Sequence, residues 1–194
     1  MDARARRSYD RLSAAVLDLA ATRPLDTLSV VEVARAAGVH RSTFYEHSDS
    51  PAALVRAVLR DELDDVRERH LGGSWDRDWD AAVRATTLDV LDHLERHRAV
   101  YLRSLGSPAD GSLRTLLSDH FHSSITLLAA RGALDSPVDD LELMARYLAD
   151  GTAGAVSVWL AGEAPRDAER FLDDFARLVP SWWPLSPHHA AGSL

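Results

Sequence analysis

The 194-residue chain has no cysteine and no lysine. Without cysteine there are no disulfides and no thiolate-held metals, which fits a reducing compartment. Without lysine, every strongly basic residue is an arginine. No apolar run approaches the roughly 18 residues of a membrane-spanning helix, and the first residues lack the apolar core of a signal peptide. A cytoplasmic protein away from any membrane is therefore expected. Basic charge is scarce as well: 22 arginines face 30 acidic residues, for a net charge of −8. That total reads against a nucleic-acid partner, but it hides an asymmetry. Residues 1–60 hold nine arginines against seven acids, whereas residues 61–194 hold 13 against 23. Hydrophobic residues at 46% and charged residues at 27% exclude a disordered chain.

Alternating strand patterns are missing too. Apolar spacing is helical almost throughout, which predicts an all-α fold. Leu12, Val16, Leu19 and Ala20 share one face of a first helix over about 5–22, which Pro24 ends. Ser29-Val-Val-Glu32 is a capping box and starts a second helix with Val30, Val33, Ala34 and Ala37 turned inward. Gly38 falls where a left-handed residue is needed after that helix. A short third helix runs from His40 or Arg41 to about His47. With Phe44 inward, 100° per residue turns Ser42, Tyr45 and Glu46 outward and puts Arg41 and Thr43 on the flanks. Ser50-Pro51 caps a fourth helix over about 51–70, and Gly72-Gly73 breaks it. Further helical patterns cover about 78–97, 98–105, 111–131, 139–162 and 166–179, followed by a proline-rich tail.

Small Ala34 where two helices cross, Gly38, Val39 and then buried Phe44 answer the steric demands of a helix-turn-helix. In that motif the last helix enters the DNA major groove. Residues 8–60 resemble the N-terminal DNA-binding domain of the tetracycline-repressor (TetR) family of transcriptional regulators. The resemblance is carried by Ser29-Val-Val-Glu-Val-Ala-Arg-Ala-Ala-Gly-Val39, Arg41-Ser-Thr-Phe-Tyr45, His47, Ser50 and Ala53-Leu54. It implies DNA contacts from Ser29, His40, Arg41, Ser42, Thr43, Tyr45 and His47. Arg41 can fork onto guanine O6 and N7 or onto a phosphate, and small Ser42 lets the helix come close to base edges. Thr43, Tyr45 and His47 match positions that contact phosphates, which fix register without reading sequence. Arg4, Arg6 and Arg7 are candidates for a mobile basic arm. The chain departs from the family pattern at Ala20, Pro24, Ser48 and Pro51. Pro51 stands where a phosphate-binding lysine is common, which predicts a shallower salt dependence of binding.

The resemblance also implies a helical ligand-binding domain and a homodimer built from the last two long helices. Gly151 and Gly154 interrupt an otherwise apolar helix at about 1 kcal/mol each, a loss that close approach of a second helix can offset. The expected interface is Met144, Leu148, Gly151, Ala155, Val158, Phe171, Phe175 and Leu178. Candidate ligand contacts, taken as polar-tipped or aromatic residues, are Trp75, Trp79, His93, Tyr101, His120, Tyr147 and Trp159. Trp182-Trp183 reads as a cover over an apolar patch.

His93-Leu-Glu-Arg-His97 puts two imidazoles one turn apart, as a zinc site can. A zincin protease needs glutamate directly after the first histidine, where Leu94 stands. With no phosphate loop or nucleophile elbow, an enzyme is not expected, nor is a cofactor or resident metal. The expected domains are 1–50 for DNA binding, 51–70 as a connecting helix, 71–180 for ligand binding and dimerisation, and 181–194 as an irregular tail. The expected function is a ligand-responsive repressor that binds a palindromic operator as a homodimer and is released by a small-molecule effector. The alternative is a helical ligand- or partner-binding dimer with little or no DNA binding.

Overall fold

A computed structural model describes residues 3–73, 78–105 and 112–186. Helices are the regular structure of the described residues, with no strand among them. The helices are α1 (Ala3–Ala20), α2 (Val30–Ala36), α3 (Arg41–Tyr45), α4 (Pro51–Leu71), α5 (Trp79–Arg96), α6 (Arg98–Leu105), α7 (Ser112–Ala130), α8 (Leu141–Ala161) and α9 (Ala168–Leu178). A 3-10 turn at Leu25–Thr27 joins α1 to α2.

The chain divides into two compact units that do not follow chain order: residues 1–62 with 97–114, and residues 63–96 with 115–194. In the first unit, Leu12, Ala15, Val16 and Ala20 bury the expected face of α1. That helix starts at Ala3, so Arg4, Arg6 and Arg7 lie within it instead of forming a separate arm. Behind α1, the Pro24 carbonyl accepts from the Thr27 N–H at 3.1 Å and the Thr27 hydroxyl at 2.7 Å. Arg23 then reaches the Thr27 carbonyl at 2.9 Å and Glu32 at 2.7 Å, tying the turn to α2.

Ser29 caps α2 with both arms of the capping box in place. Val33, Ala34 and Ala37 are buried, while Val30 is only partly so and Val31 is 58% exposed. Gly38 has φ +62°. This left-handed conformation turns the chain so that the Val39 N–H bonds back to the Ala34 carbonyl at 2.9 Å. The third helix is two residues shorter than its pattern predicts. Its end tightens as the His47 and Ser48 N–H groups both reach the Phe44 carbonyl. Ser50 caps α4, accepting from the Ala53 N–H at 3.2 Å, with Pro51 buried at the first helical position.

In the second unit, Leu71, Val83, Ile125, Leu128, Met144, Ala145, Ala149 and Trp183 form one hydrophobic core. Asp140 and Asp167 cap α8 and α9 by accepting from the N–H three residues on, each at 3.0 Å. Arg166 pairs with Glu95, and Arg84 pairs with Glu169. No described helix is long and apolar enough to cross a membrane.

Candidate functional site

The first unit presents its short helix as the pattern requires. Phe44 is 0% exposed, while Arg41, Ser42, Tyr45 and Glu46 are exposed and Thr43 is intermediate. Phe44 meets Tyr45 edge-on at 5.8 Å, so the buried ring supports the exposed one. Arg41 and Tyr45 sit one turn apart and touch: the guanidinium Nη2 donates to the phenol oxygen at 2.9 Å, and its carbon lies 5.3 Å from the ring centre. His40 occupies the N-cap of α3, exposed and without a side-chain capping bond.

Ser29 is exposed but already engaged. Its hydroxyl donates to Glu32 at 2.7 Å and accepts from the Glu32 N–H at 3.3 Å, and its own N–H donates to the same carboxylate at 3.1 Å. The Arg23 guanidinium first, and Ser29 second, hold the Glu32 carboxyl down at about 2. His47 differs from the other expected contacts. It is half-buried, tilted against Tyr9 at 5.7 Å, and its Nε2 is buried without a partner among the described residues. Tyr9 donates to Asp61 at 2.8 Å, and burial, followed by that bond, pushes the phenol up to about 12. His47 thus packs α3 against α1. His47 also lines an open groove, with Arg4, Arg7, Asp10 and Arg11 of α1 on one side and Gly38, Val39, His40, Thr43 and Glu46 on the other.

The second unit contains an apolar cavity with about 60 Å³ of free interior. Its walls are Val83, Thr86, Thr87, Val90 and Leu91 of α5, His120, Phe121, Ser124, Ile125 and Leu128 of α7, Thr152 and Val156 of α8, Phe171 and Phe175 of α9, and Trp183. His120 Nδ1 lies 3.4 Å from Arg67 Nη1. A guanidinium has only donors, so Nδ1 accepts and the imidazole proton sits on Nε2. Burial, and then the charges of Arg67 and His93, push His120 down to about 3, so the ring is neutral.

Of the expected ligand contacts that fall among the described residues, only His120 lines this cavity. Trp79 is partly buried against the core, and His93 is fully buried. Tyr101 is fully buried within the first unit, where burial and the charge of Glu62 raise its phenol. His97, the second imidazole of the zinc-like pair, bonds Glu62 at 2.8 Å in that unit. Trp159 lies 6.0 Å from the wall residue Phe171, and Tyr147 is 76% exposed. Trp75 falls outside the described residues. Trp183, read as a surface cover, is a wall of the cavity. The threonines and serine of the wall escaped notice because hydroxyls within apolar helical faces carry no distinctive pattern.

The residues expected at a dimer interface separate in the same way. Met144 and Phe175 turn inward, at 6% and 9% exposure, because each fills its own unit's interior. Val158 and Leu178 are exposed at 76% and 78%, and Gly151 is exposed with nothing within 4 Å of an added Cβ. Leu148, Ala155 and Phe171 are intermediate. A shallow apolar groove runs between α8 and α9 past Tyr147, Leu148, Gly151, Ala155, Leu178 and Val179.

No protein-family model matches the sequence, and no curated protein matches it. Solved structures do. A tetR-family transcriptional regulator from Streptomyces coelicolor is 25% identical with a TM-score of 0.63, over 92% of this chain and 82% of that one. Thermus thermophilus FadR, a TetR-family transcriptional repressor solved with lauroyl-CoA, is 24% identical with a TM-score of 0.60, over 88% and 92%. The dihydroxyacetone kinase operon activator DhaS is 15% identical with a TM-score of 0.65, over 88% and 93%. An N-terminal helix-turn-helix followed by a helical bundle is the architecture of TetR-family transcriptional regulators, and in its fold this chain is similar to them.

Proposed function

We propose that the chain is a ligand-responsive transcriptional regulator that binds a palindromic DNA operator as a homodimer and releases it when a small effector binds. The observation that carries this reading is the split of α3: Phe44 is sealed beneath while Arg41, Ser42 and Tyr45 stand in solvent. Such a helix offers a guanidinium, a hydroxyl and a phenol to a groove while its own core stays intact. The chain also has no asparagine and no glutamine, the side chains that read adenine through paired hydrogen bonds. Direct readout therefore falls to Arg41 on guanine and Glu46 on a cytosine amino group. Arg4, Arg7 and Arg11 outnumber the carboxylates of Asp10 and Glu46 along a groove that Thr43 also lines, which leaves it a net positive charge for one phosphate strand. His47 is assigned to packing.

Residues 1–50 form the DNA-binding part, 51–70 the connecting helix and 71–180 the ligand-binding and dimerising part. The dimer reading is supported by the exposed apolar residues Leu143, Tyr147, Val158 and Leu178. Open space at Gly151 and Gly154 supports it as well, because no described residue demands glycine there. A two-fold interface along α8 and α9 supplies that demand through close helix approach, and it aligns two copies of α3 on two half-sites. Effector and operator then oppose each other by linkage: a ligand that favours the released state lowers DNA affinity by the same factor that DNA lowers ligand affinity.

Selection of bound sequences from a random duplex pool, followed by a salt series, tests the reading. Enrichment of a two-fold symmetric site supports it. Retention of no duplex at low salt favours the partner-binding dimer instead, a reading that the acidic balance of residues 61–194 also fits.

A further inference from the structure

Two residues that line the cavity of the second unit carry a buried hydrogen-bond donor with no partner among the described residues. Four hydroxyls line it, and each is spent locally. Thr86, Thr87, Ser124 and Thr152 donate to the carbonyl four residues earlier at 2.7, 2.8, 2.9 and 2.7 Å. Two wall donors differ. His120 Nε2–H and Trp183 Nε1–H are buried and have no hydrogen-bond partner among the described residues, in side chains only 5% and 7% exposed. Buried donors of this kind are uncommon in folded proteins, and each calls for an acceptor.

The wall also sets the charge of the occupant. Among the described residues no arginine lines the cavity. Arg67 stands behind His120, and its other amino group pairs with Asp64 at 2.8 Å. An anion entering here would lose its hydration without gaining a cation, and a cation would face donors. The free interior of about 60 Å³ sets the size, room for roughly two waters at ~30 Å³ each.

We propose that the cavity binds a small, uncharged, largely apolar molecule whose carbonyl-type oxygen accepts from His120 Nε2–H and Trp183 Nε1–H. This assigns an effector class to the regulator read above and rests on that reading for its biological meaning, though not for the binding itself.

Three small planar probes of one shape separate the chemistries: acetone has a neutral acceptor, isobutene has none, and acetate is charged. Each is titrated into the full chain while the tryptophan indole N–H signals are followed by ¹⁵N–¹H NMR. Acetone is expected to bind about tenfold or more tightly than isobutene, as one satisfied buried donor implies. It should also shift the Trp183 indole proton downfield and outcompete acetate. In Trp183→Phe and His120→Phe the advantage of acetone should shrink, while isobutene affinity changes by no more than about threefold, because apolar wall contact remains. The wild-type indole shift needs no substitution and so stands even where a variant fails to fold. Equal binding of acetone and isobutene, tightest binding of acetate, or an unmoved Trp183 signal with all three probes overturns the proposal. DNA binding is measured on the same preparation. Acetone binding by a protein that retains no duplex with or without the probe removes the regulator reading alone, and DNA binding without probe binding removes the cavity assignment alone.

Discussion

Arg41 and Tyr45 hold each other across one turn of α3, through a 2.9 Å hydrogen bond and a guanidinium carbon 5.3 Å from the ring centre. The pair is fully outside the core, so its energetic value to folding is small. Its consequence is positional: the tyrosine holds the guanidinium in one place, which under the proposed function lowers the ordering cost of a base contact.

Arg41→Ala is expected to weaken operator binding by about 1–3 kcal/mol and to relax preference at one guanine, because it removes a forked base contact. Tyr45→Ala should weaken matched and scrambled duplexes alike. Anisotropy titrations of both variants against both duplexes check the split. Equal loss on the two duplexes for Arg41→Ala would reassign that residue to a phosphate.

Phe44→Ala should cost about 3–5 kcal/mol, the range for emptying a fully buried aromatic site. Urea unfolding followed by circular dichroism measures it. A loss under about 1 kcal/mol would mean that α3 is not anchored by this ring.

Gly38→Ala should cost about 1–2 kcal/mol through backbone conformation alone. The site has φ +62°, while the nearest atom to an added Cβ, Arg11 Nη1, lies at an uncrowded 3.9 Å. Thermal unfolding of Gly38→Ala beside Gly151→Ala makes the comparison internal. Gly151 has no positive φ and open space around it, so the alanine there should stabilise an isolated helix and reveal its cost only in self-association.

Stability should fall on mild acidification. His120 has an ordinary value of 6.5 and is pushed down to about 3 when folded. The unfolded chain therefore takes up a proton that the folded chain refuses, at about 1.4 kcal/mol per pH unit as pH drops below 6.5. Glu32, lowered from 4.5 to about 2, acts in the same sense only below about 4.5. Denaturant midpoints at pH 7, 6 and 5 should decline for the wild type and stay flatter for His120→Phe. Parallel profiles would show that His120 is not the titrating group.

Val158→Asp and Leu178→Asp place charge on residues that are 76% and 78% exposed in the single chain. Little loss of folding stability is expected. Sedimentation should nevertheless show monomers, and operator affinity should fall as the two half-sites lose their link. Unchanged mass would move the interface elsewhere.

The helix-turn-helix was legible in the sequence because its determinants lie within about twenty residues: a capping box at Ser29, a left-handed Gly38, and one apolar Phe44 on a polar segment. Helical periodicity likewise fixes which face of each helix is apolar, and the helices fall where that periodicity predicts them. Local pattern did not reveal whether an apolar or aromatic residue meets its own chain, a cavity or solvent. Met144 and Val158 share one helix and read alike, yet one is in the core and the other is exposed. His47 reads as a phosphate contact, and only the folded chain shows that its ring packs on Tyr9. Trp183 and His120 are 63 positions apart and line one cavity only because α5, α7, α8, α9 and the turn after α9 close around it. The sequence alone therefore determined the all-helical elements, the glycine turn and the outward residues of α3, since these follow from backbone sterics and spacing along one helix. Tertiary packing alone decided the cavity, its unpaired donors and the neutral state of His120, since burial and the distance to Arg67 depend on segments that meet only when the chain is folded.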